Sequence, residues 1–325
     1  MLELIARPVR EELLEMEAVY QRLAVSDVPV VNDIIDLTKA YPGKRLRPIL
    51  VLLCAGMAGG VSRASIETAA IVELLHTATL VHDDVIDRSD LRRGGPTVNS
   101  VWDNRAAVLI GDLFFSRVLS WLAQHGNLDV TDIMSETIRR ICEGELIQSQ
   151  NGHRNPAITE EEYFKTISLK TASLIAASCE LGVISSSSKN GTSARSAARQ
   201  YGEHLGTAFQ IKDDLMDYNG RESKMGKPVA RDLMDNFLTL PLLYSLRNST
   251  NGDGHLIVQM IQRGITENDI DTVCRFVERS GGIAYAQEMA EQHARKALSI
   301  LDGFGGTEYR ASLSKLAGFV IQRDF

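Results

Sequence analysis

His76, Asp83 and Asp87 stand at i, i+7 and i+11 in the stretch from Ile66 to Arg93. At about 100° per residue on a helix, those offsets return to one stripe within roughly 20°. Two carboxylates one turn apart on a single face repel each other unless something positive lies between them. The simplest such object is a divalent metal ion with a preference for hard oxygen ligands. A lone DDxxD at a helix end is as often just a solvated acidic face. The approach to this one is apolar or small, through Ala69, Ile71, Leu74, Leu75, Ala78 and Val81. A helix apolar all round is buried, so the acids are expected at the mouth of something buried.

A second acidic set closes another long segment, FQIKDDLMD. Gln210, Asp213, Asp214 and Asp217 are spaced i, i+3, i+4 and i+7, again one helix face. Two DDxxD elements, each ending an apolar helix, are far more specific than one. Cations accompany them: Lys44, Arg45 and Arg47 in GKRLRP, Arg92 and Arg93 before Gly94-Gly95, Lys170 beside Thr171, and Lys227 in a Gly-Lys-Pro loop. Each alone reads as a solvated charge. Together with the acids they suggest metal-bridged phosphate, its remaining oxygens held by Lys and Arg. The expected substrate has a phosphate head and a long hydrocarbon tail.

The elements that must position these residues are helical. Apolar residues recur with helical period along nearly the whole chain, and no run alternates like a strand. The expected helices are Leu2 to Leu23, Val30 to Ala40, Leu46 to Ala58, the central Ile66 segment, Thr97 to Gln124, Thr131 to Gln150, a capping-box start at Thr159 running to about Ile184, Ala194 to Tyr218, Leu233 to Leu246, Leu256 to Arg263, Thr266 to Ser280, Ile283 to Leu301 and Glu308 to Ile321. Asn219 to Arg231 reads as a polar loop. With no linker or internal repeat, the expectation is all-α: a single large helical bundle with a central apolar cavity, one domain over residues 1–325.

Composition narrows the function. The chain has 325 residues, 44% hydrophobic, with net charge −7 and 6% aromatic. That gives no reason to expect nucleic acid. The four cysteines lack CxxC spacing and read as buried free thiols of a reducing, cytoplasmic compartment. The N-terminus does not read as a signal peptide, and the greasiest window, Val108 to Ala123, is broken by Asp112 and Arg117, so a soluble protein is expected.

These residues closely resemble the trans-polyprenyl diphosphate synthases of the class I isoprenoid synthase fold. The matching segments are GKRLRP (43–48), ELLHTATLVHDDVIDRSDLRRGGPTVN (73–99), GDLFFS (111–116), EGELIQ (143–148), YFKTISLKTASLIAASCELG (163–182), GEHLGTAFQIKDDLMDY (202–218), GKPVARDL (226–233) and TLPLL (239–243). The resemblance implies a homodimer that uses Mg²⁺ to add isopentenyl diphosphate head-to-tail to an allylic diphosphate. By position Lys44, Arg47, His76 and Arg93 resemble the isopentenyl diphosphate pocket. Asp83, Asp84 and Asp87 resemble the first metal site, and Asp213, with Asp214 and Asp217, the second. Arg92, Lys170, Thr171, Gln210 and Lys227 resemble contacts to the allylic diphosphate. Catalysis is expected of Asp83, Asp84, Asp87, Lys170 and Asp213.

One departure stands out. Where the family pattern has a Gly-Lys pair, this chain has Asn236-Phe237, so one diphosphate-binding lysine is missing from the pattern. Before the first motif, Ala78 and Thr79 occupy places where short-chain members carry a bulky aromatic floor. Small residues there imply a medium or long product, of the octaprenyl type used in quinone side chains, with Phe114, Phe115 or the 131–150 helix as candidates to close the tunnel lower down. Farnesyl or geranylgeranyl diphosphate is the expected primer, with a transient membrane contact for product release. Competing readings are a shorter-chain synthase, a terpene cyclase, a non-catalytic subunit of a heteromeric synthase, an HD-type phosphohydrolase using His82-Asp83, and a plain lipid-binding bundle. A cyclase would not need GKRLRP or a second DDxxD; a non-catalytic subunit commonly loses acids that are whole here.

Overall fold

The computed structural model describes residues 1–151, 157–188, 191–218, 231–234, 237–249 and 252–322. In chain order the helices are α1 (Leu2–Ala6), α2 (Arg10–Ala24), α3 (Pro29–Ala40), α4 (Leu46–Met57), α5 (Arg63–Ile86), α6 (Val98–Val101), α7 (Asn104–His125), α8 (Leu128–Asn151), α9 (Glu160–Ile167), α10 (Ser173–Ile184), α11 (Thr192–Met216), α12 (Arg231–Met234), α13 (Leu240–Asn248), α14 (Gly252–Arg263), α15 (Glu267–Arg279), α16 (Gly282–Leu301) and α17 (Glu308–Gln322). The strand content of the described residues is one short ladder, β1 (Leu91–Arg92) antiparallel to β2 (Gly95–Pro96). The fold is all-α, as the periodicity predicts.

Local chemistry sets the boundaries. Thr159 and Glu162 form the expected capping box at the start of α9. Ser62 with Ser65 begins α5 in the same way, and both hydroxyls donate to the Ser185 carbonyl at 2.6 Å. Three expected helices are divided. Around Pro8 a 3-10 turn (Arg7–Val9) separates α1 from α2. Asp103 leaves helical geometry to cap α7, accepting from the Ala106 N–H at 2.7 Å, and so separates α6 from it. Residues 237–239 separate α12 from α13, because Thr239 is extended and Pro241 lies in the first turn. The loop from Asn219 lies outside the described residues.

The chain folds as two compact units. The first takes in Met1–Ser135, Ala177–Arg199 and Phe304–Leu313. There α5 packs against α2, α4 and α7. Leu50 to Ala55 of α4 and Ala69 to Leu75 of α5 are buried throughout. Each large aliphatic side chain so buried contributes about 1.5–3 kcal/mol before entropy is counted. The second unit takes in Glu136–Ala176, Gln200–Gly303 and the chain from Ser314. Its core gathers Ile211, Leu240, Leu242, Ile261, Val273 and Val277. Ala286, Ala290, Ala294 and Ala297 are fully buried along α16, and a Cβ at Gly282 would strike the Pro241 carbonyl of α13. Small residues there let two backbones come close.

Among the described residues, three stretches match a bilayer span in length and apolarity: α5, α7 and the run Glu160–Ile184. The apolar windows of α5 and Glu160–Ile184 are 67% and 72% buried inside the protein, but that of α7 is 33% buried. Val108, Leu109 and Leu119 of α7 are exposed. All four cysteines are free. Cys54 and Cys179 are buried as expected, whereas Cys142 is exposed and Cys274 half-buried.

Candidate active site

In the first unit the acidic helix ends earlier than its sequence suggests. α5 stops at Ile86 and Asp87 is its C-cap. The arginines that follow stand on the β1–β2 hairpin, whose central residues Arg93 and Gly94 have φ of 55° and 77°. Positive φ at both positions is the tight hairpin turn that favours Gly; Arg93 takes it with strain of the kind found at functional sites. Thr97 Oγ1 and Asn99 Nδ2 both donate to the Ser89 carbonyl, at 2.7 and 3.0 Å, and the Ser89 N–H donates to the Asp84 carbonyl at 2.9 Å. The hairpin is thus tied to the end of α5.

Asp83 is half-buried and Asp87 exposed, but Asp84 is buried, 4% exposed, with Oδ1 accepting from Arg92 Nε at 2.6 Å. A residue 100° round the helix from Asp83 faces inward. The three acids therefore do two things: the outer pair faces out one turn apart, and the middle one holds the hairpin arginine. Acids at the negative end of a helix, with no basic residue in its last turn, are disfavoured by about 0.3–1 kcal/mol each. A helix that keeps them there has a use for them other than stability.

The GKRLRP turn sits in the same unit. Arg45, at φ 51°, caps α4 and turns inward: its guanidinium meets buried Glu73 at 2.7 Å and Glu17 at 3.0 Å and lies over the Tyr20 ring at 5.0 Å. Lys44 is exposed, and Arg47 NH1 donates to His76 Nε2 at 2.8 Å. Arginine cannot accept, so Nε2 is the acceptor and the imidazole proton sits on Nδ1. Burial first, then the charges of Arg47, Arg93, Arg92 and Arg45, hold the His76 pKa well below its usual value, so the ring is neutral. Arg93 lays its guanidinium on Gly43, 2.5 Å from where a Cβ would stand. Arg47, His76 and Arg93 are thereby brought to one turn beside Lys44. Arg45, Arg92 and Arg93 also line a cavity of about 70 Å³ with Asp84, Leu80 and Val98.

In the second unit, Lys170 and Thr171 stand on a π turn, Ser168–Ala172, between α9 and α10. Such turns cluster at functional sites. Lys170 Nζ pairs with Glu145 at 2.8 Å. Thr171 Oγ1 donates to Gln210 Oε1 at 2.7 Å, Gln210 Nε2 donates to Asp214 Oδ1 at 2.8 Å, and Tyr163 OH donates to Asp214 Oδ2 at 2.6 Å. The expected single acidic face is therefore split: Asp213 and Asp217 are half-buried, whereas Asp214 is 3% exposed and faces inward. Burial raises its carboxyl, the two hydrogen bonds lower it and Asp213 and Asp217 raise it again, with the net result that it is pushed up to about 7. Lys227 and Asn236 lie outside the described residues; Phe237 is half-buried, just before core residue Leu238.

Asp83, Asp87, Asp213 and Asp217 share a hard-oxygen chemistry, yet among the described residues no three His, Cys, Asp or Glu side chains gather closely enough to enclose a metal. The pair on α5 and the pair on α11 each fit a small divalent ion held by one or two carboxylates and completed by phosphate oxygens and water.

A polyprenyl synthetase family profile matches residues 28–277. The chain belongs to that family. Over 99% of both chains it is 35% identical to octaprenyl diphosphate synthase of Escherichia coli (strain K12). It is 36% identical, over 87% of both chains, to heptaprenyl diphosphate synthase component 2 of Geobacillus stearothermophilus. Among solved structures it superposes with TM-score 0.92 on a polyprenyl synthase from Caulobacter crescentus CB15, complexed with calcium and isoprenyl diphosphate, at 31% identity and covering 99% of this chain and 98% of that one. This polyprenyl synthetase is a prenyltransferase.

Several residues of this synthetase that organise the site escape a reading of motifs. Glu145, Tyr163 and Glu73 carry no catalytic signature of their own; each is placed by a partner far along the chain. The one signal was position, since Glu145 and Tyr163 fall inside the family-like segments EGELIQ and YFKTISLK. Gly111, in GDLFFS, is a packing requirement: a Cβ there would strike the His82 ring, whose Nε2 lies 3.1 Å from the Val108 carbonyl.

Proposed function

We propose that this prenyltransferase elongates an allylic diphosphate, farnesyl or geranylgeranyl, by successive Mg²⁺-dependent 1′-4 head-to-tail additions of isopentenyl diphosphate, giving a medium- or long-chain all-trans polyprenyl diphosphate for quinone side chains. The observation that carries the reading is the repeated acidic design. On α5 and on α11 an outer carboxylate pair, Asp83 with Asp87 and Asp213 with Asp217, flanks an inner carboxylate that is buried and engaged by protein.

In this reading Lys44, Arg47, neutral His76 through Nδ1–H, and Arg93 bind the isopentenyl diphosphate. Arg92, held through Nε by Asp84, keeps its terminal nitrogens as donors to the allylic diphosphate, with Lys170 and Lys227. Thr171 and Gln210 serve it by their contact to each other and to Asp214. Asp83 with Asp87 on α5, and Asp213 with Asp217 on α11, would each hold Mg²⁺, which would supply charge neutralisation to the departing diphosphate. Lys170 and the arginines stabilise the same developing charge. The isopentenyl double bond attacks the allylic carbon as its bond to diphosphate oxygen breaks, and a proton then leaves, taken up by the released diphosphate. We assign Asp84 and Asp214 to bracing rather than to metal. Small Ala78, fully buried, supports a product longer than one addition.

Chelation of divalent metal, or Asp83→Asn or Asp213→Asn, is expected to lower turnover by about 10³-fold or more with Tm unchanged. Turnover retained in all three would contradict the reading. A second reading, one component of a heteromeric synthase, is favoured by two relatives, the Geobacillus protein and its Bacillus subtilis counterpart, each a heptaprenyl diphosphate synthase component 2. Turnover by this chain only after addition of a second protein would establish that.

A further inference from the structure

The helix that carries Lys170 is irregular at that residue, and its irregularity is held from outside. A π turn has poorer hydrogen-bond geometry than the α-helix around it and marks a place of functional constraint. Ser168–Ala172 forms one such turn, and the part of α8 from Glu136 on, in the same unit, braces it at three successive points. Arg140 NH2 donates to Ser168 Oγ at 3.0 Å, and Ser168 Oγ donates onward to Glu203. One turn on, Gly144 passes the π turn at backbone distance. A Cβ there would lie 2.7 Å from the Lys170 nitrogen, 3.0 Å from Leu169 Cβ and 3.1 Å from Lys170 Cα. Backbone cannot yield as a side-chain tip can, so this approach requires glycine. The next residue, Glu145, grips the Lys170 ammonium with both oxygens, at 2.8 and 3.0 Å.

We propose that Gly144 and Glu145 are positioning residues for the allylic diphosphate, acting through Lys170: Gly144 fixes where the lysine backbone stands and Glu145 fixes where its ammonium waits. The proposal rests on the assignment of Lys170 to that diphosphate. A lysine stem carries about 2 kcal/mol of rotamer entropy. A two-point carboxylate grip removes most of that freedom before substrate arrives, so less ordering remains to be done on binding. The pair is three-quarters buried, with side chains 26% and 22% exposed, so the grip is not a surface ion pair lost to water and salt.

The test is a coupling cycle read in steady-state kinetics. Gly144→Ala and Glu145→Gln are made alone and each combined with Lys170→Ala. Each single variant is expected to raise KM for the allylic diphosphate roughly tenfold while KM for isopentenyl diphosphate stays within about twofold. In the Lys170→Ala background both substitutions are expected to have no further effect, because residues that act through one group are not additive. Equal rises in both KM values, or full additivity with Lys170→Ala, would overturn the proposal while leaving prenyl transfer intact. Glu145→Gln keeps the side-chain shape, so it carries the test if Gly144→Ala does not fold. Absence of isopentenyl incorporation by the wild type would instead remove the assignment of Lys170, and the proposal with it.

Discussion

Asp84 and Asp214 are the residues at which a motif reading and a physical reading part. Both sit in the middle of a DDxxD, and both are buried and engaged, one by Arg92 and the other by Tyr163 and Gln210. Tyr163→Phe removes one donor from a buried carboxyl and is expected to cost about 1–3 kcal/mol, seen as a Tm fall of several degrees with a raised KM for the allylic diphosphate. An unchanged Tm would mean that the Tyr163 hydroxyl does not support Asp214. His76 predicts a pH effect. An unfolded histidine takes a proton as pH falls through about 6.5, whereas buried His76 among four arginines stays neutral well below that. Between those values the unfolded chain holds the extra proton, so acidification draws the protein toward unfolding. The contribution is complete above about pH 6.5 and is lost as pH falls toward the depressed folded value. The Tm drop between pH 7 and pH 5 is therefore expected to shrink in His76→Asn, and an equal drop would contradict this account of the ring.

At the scale of elements, helix identity and most boundaries were legible, because period and capping residues act locally: Thr159 with Glu162 marks the start of α9 as its spacing predicts, and α15 begins just after Thr266, where its helix is expected. The breaks at Asp103 and Thr239, the hairpin at Arg92–Arg93 and the π turn at Lys170 were not legible. The two breaks have local causes that the continuous hydrophobic period hid, the Asp103 cap to Ala106 and the extended Thr239 ahead of Pro241; the hairpin turns on the positive φ of Arg93, and the π turn is braced by Gly144 and Glu145, distant in sequence. Of the three long apolar stretches, α7 is the least covered, with 33% of its apolar window buried. Val108, Leu109 and Leu119 make an outward stripe, and we take a second copy of the chain to cover it. Leu109→Asp with Leu119→Asp is then expected to shift sedimentation from dimer to monomer. A monomeric wild type, or a variant that remains dimeric, would exclude α7 as the interface.

At the scale of the whole molecule, the family and its prenyl transfer were legible because two DDxxD motifs, GKRLRP and the segments between them form one specific pattern. Product length was not, because it depends on which side chains stop a growing chain, and Ala78, Thr79 and Phe114 are ordinary core residues in a sequence. A small residue at position 78 is nevertheless expected to permit elongation beyond one addition. The measurement that tests it most directly is incubation of the wild type and Ala78→Phe with labelled isopentenyl diphosphate, Mg²⁺ and farnesyl diphosphate, with products resolved by length. A ladder ending at a long product is expected for the wild type and a shorter terminus for Ala78→Phe. A wild-type product that stops one unit past the primer would contradict it.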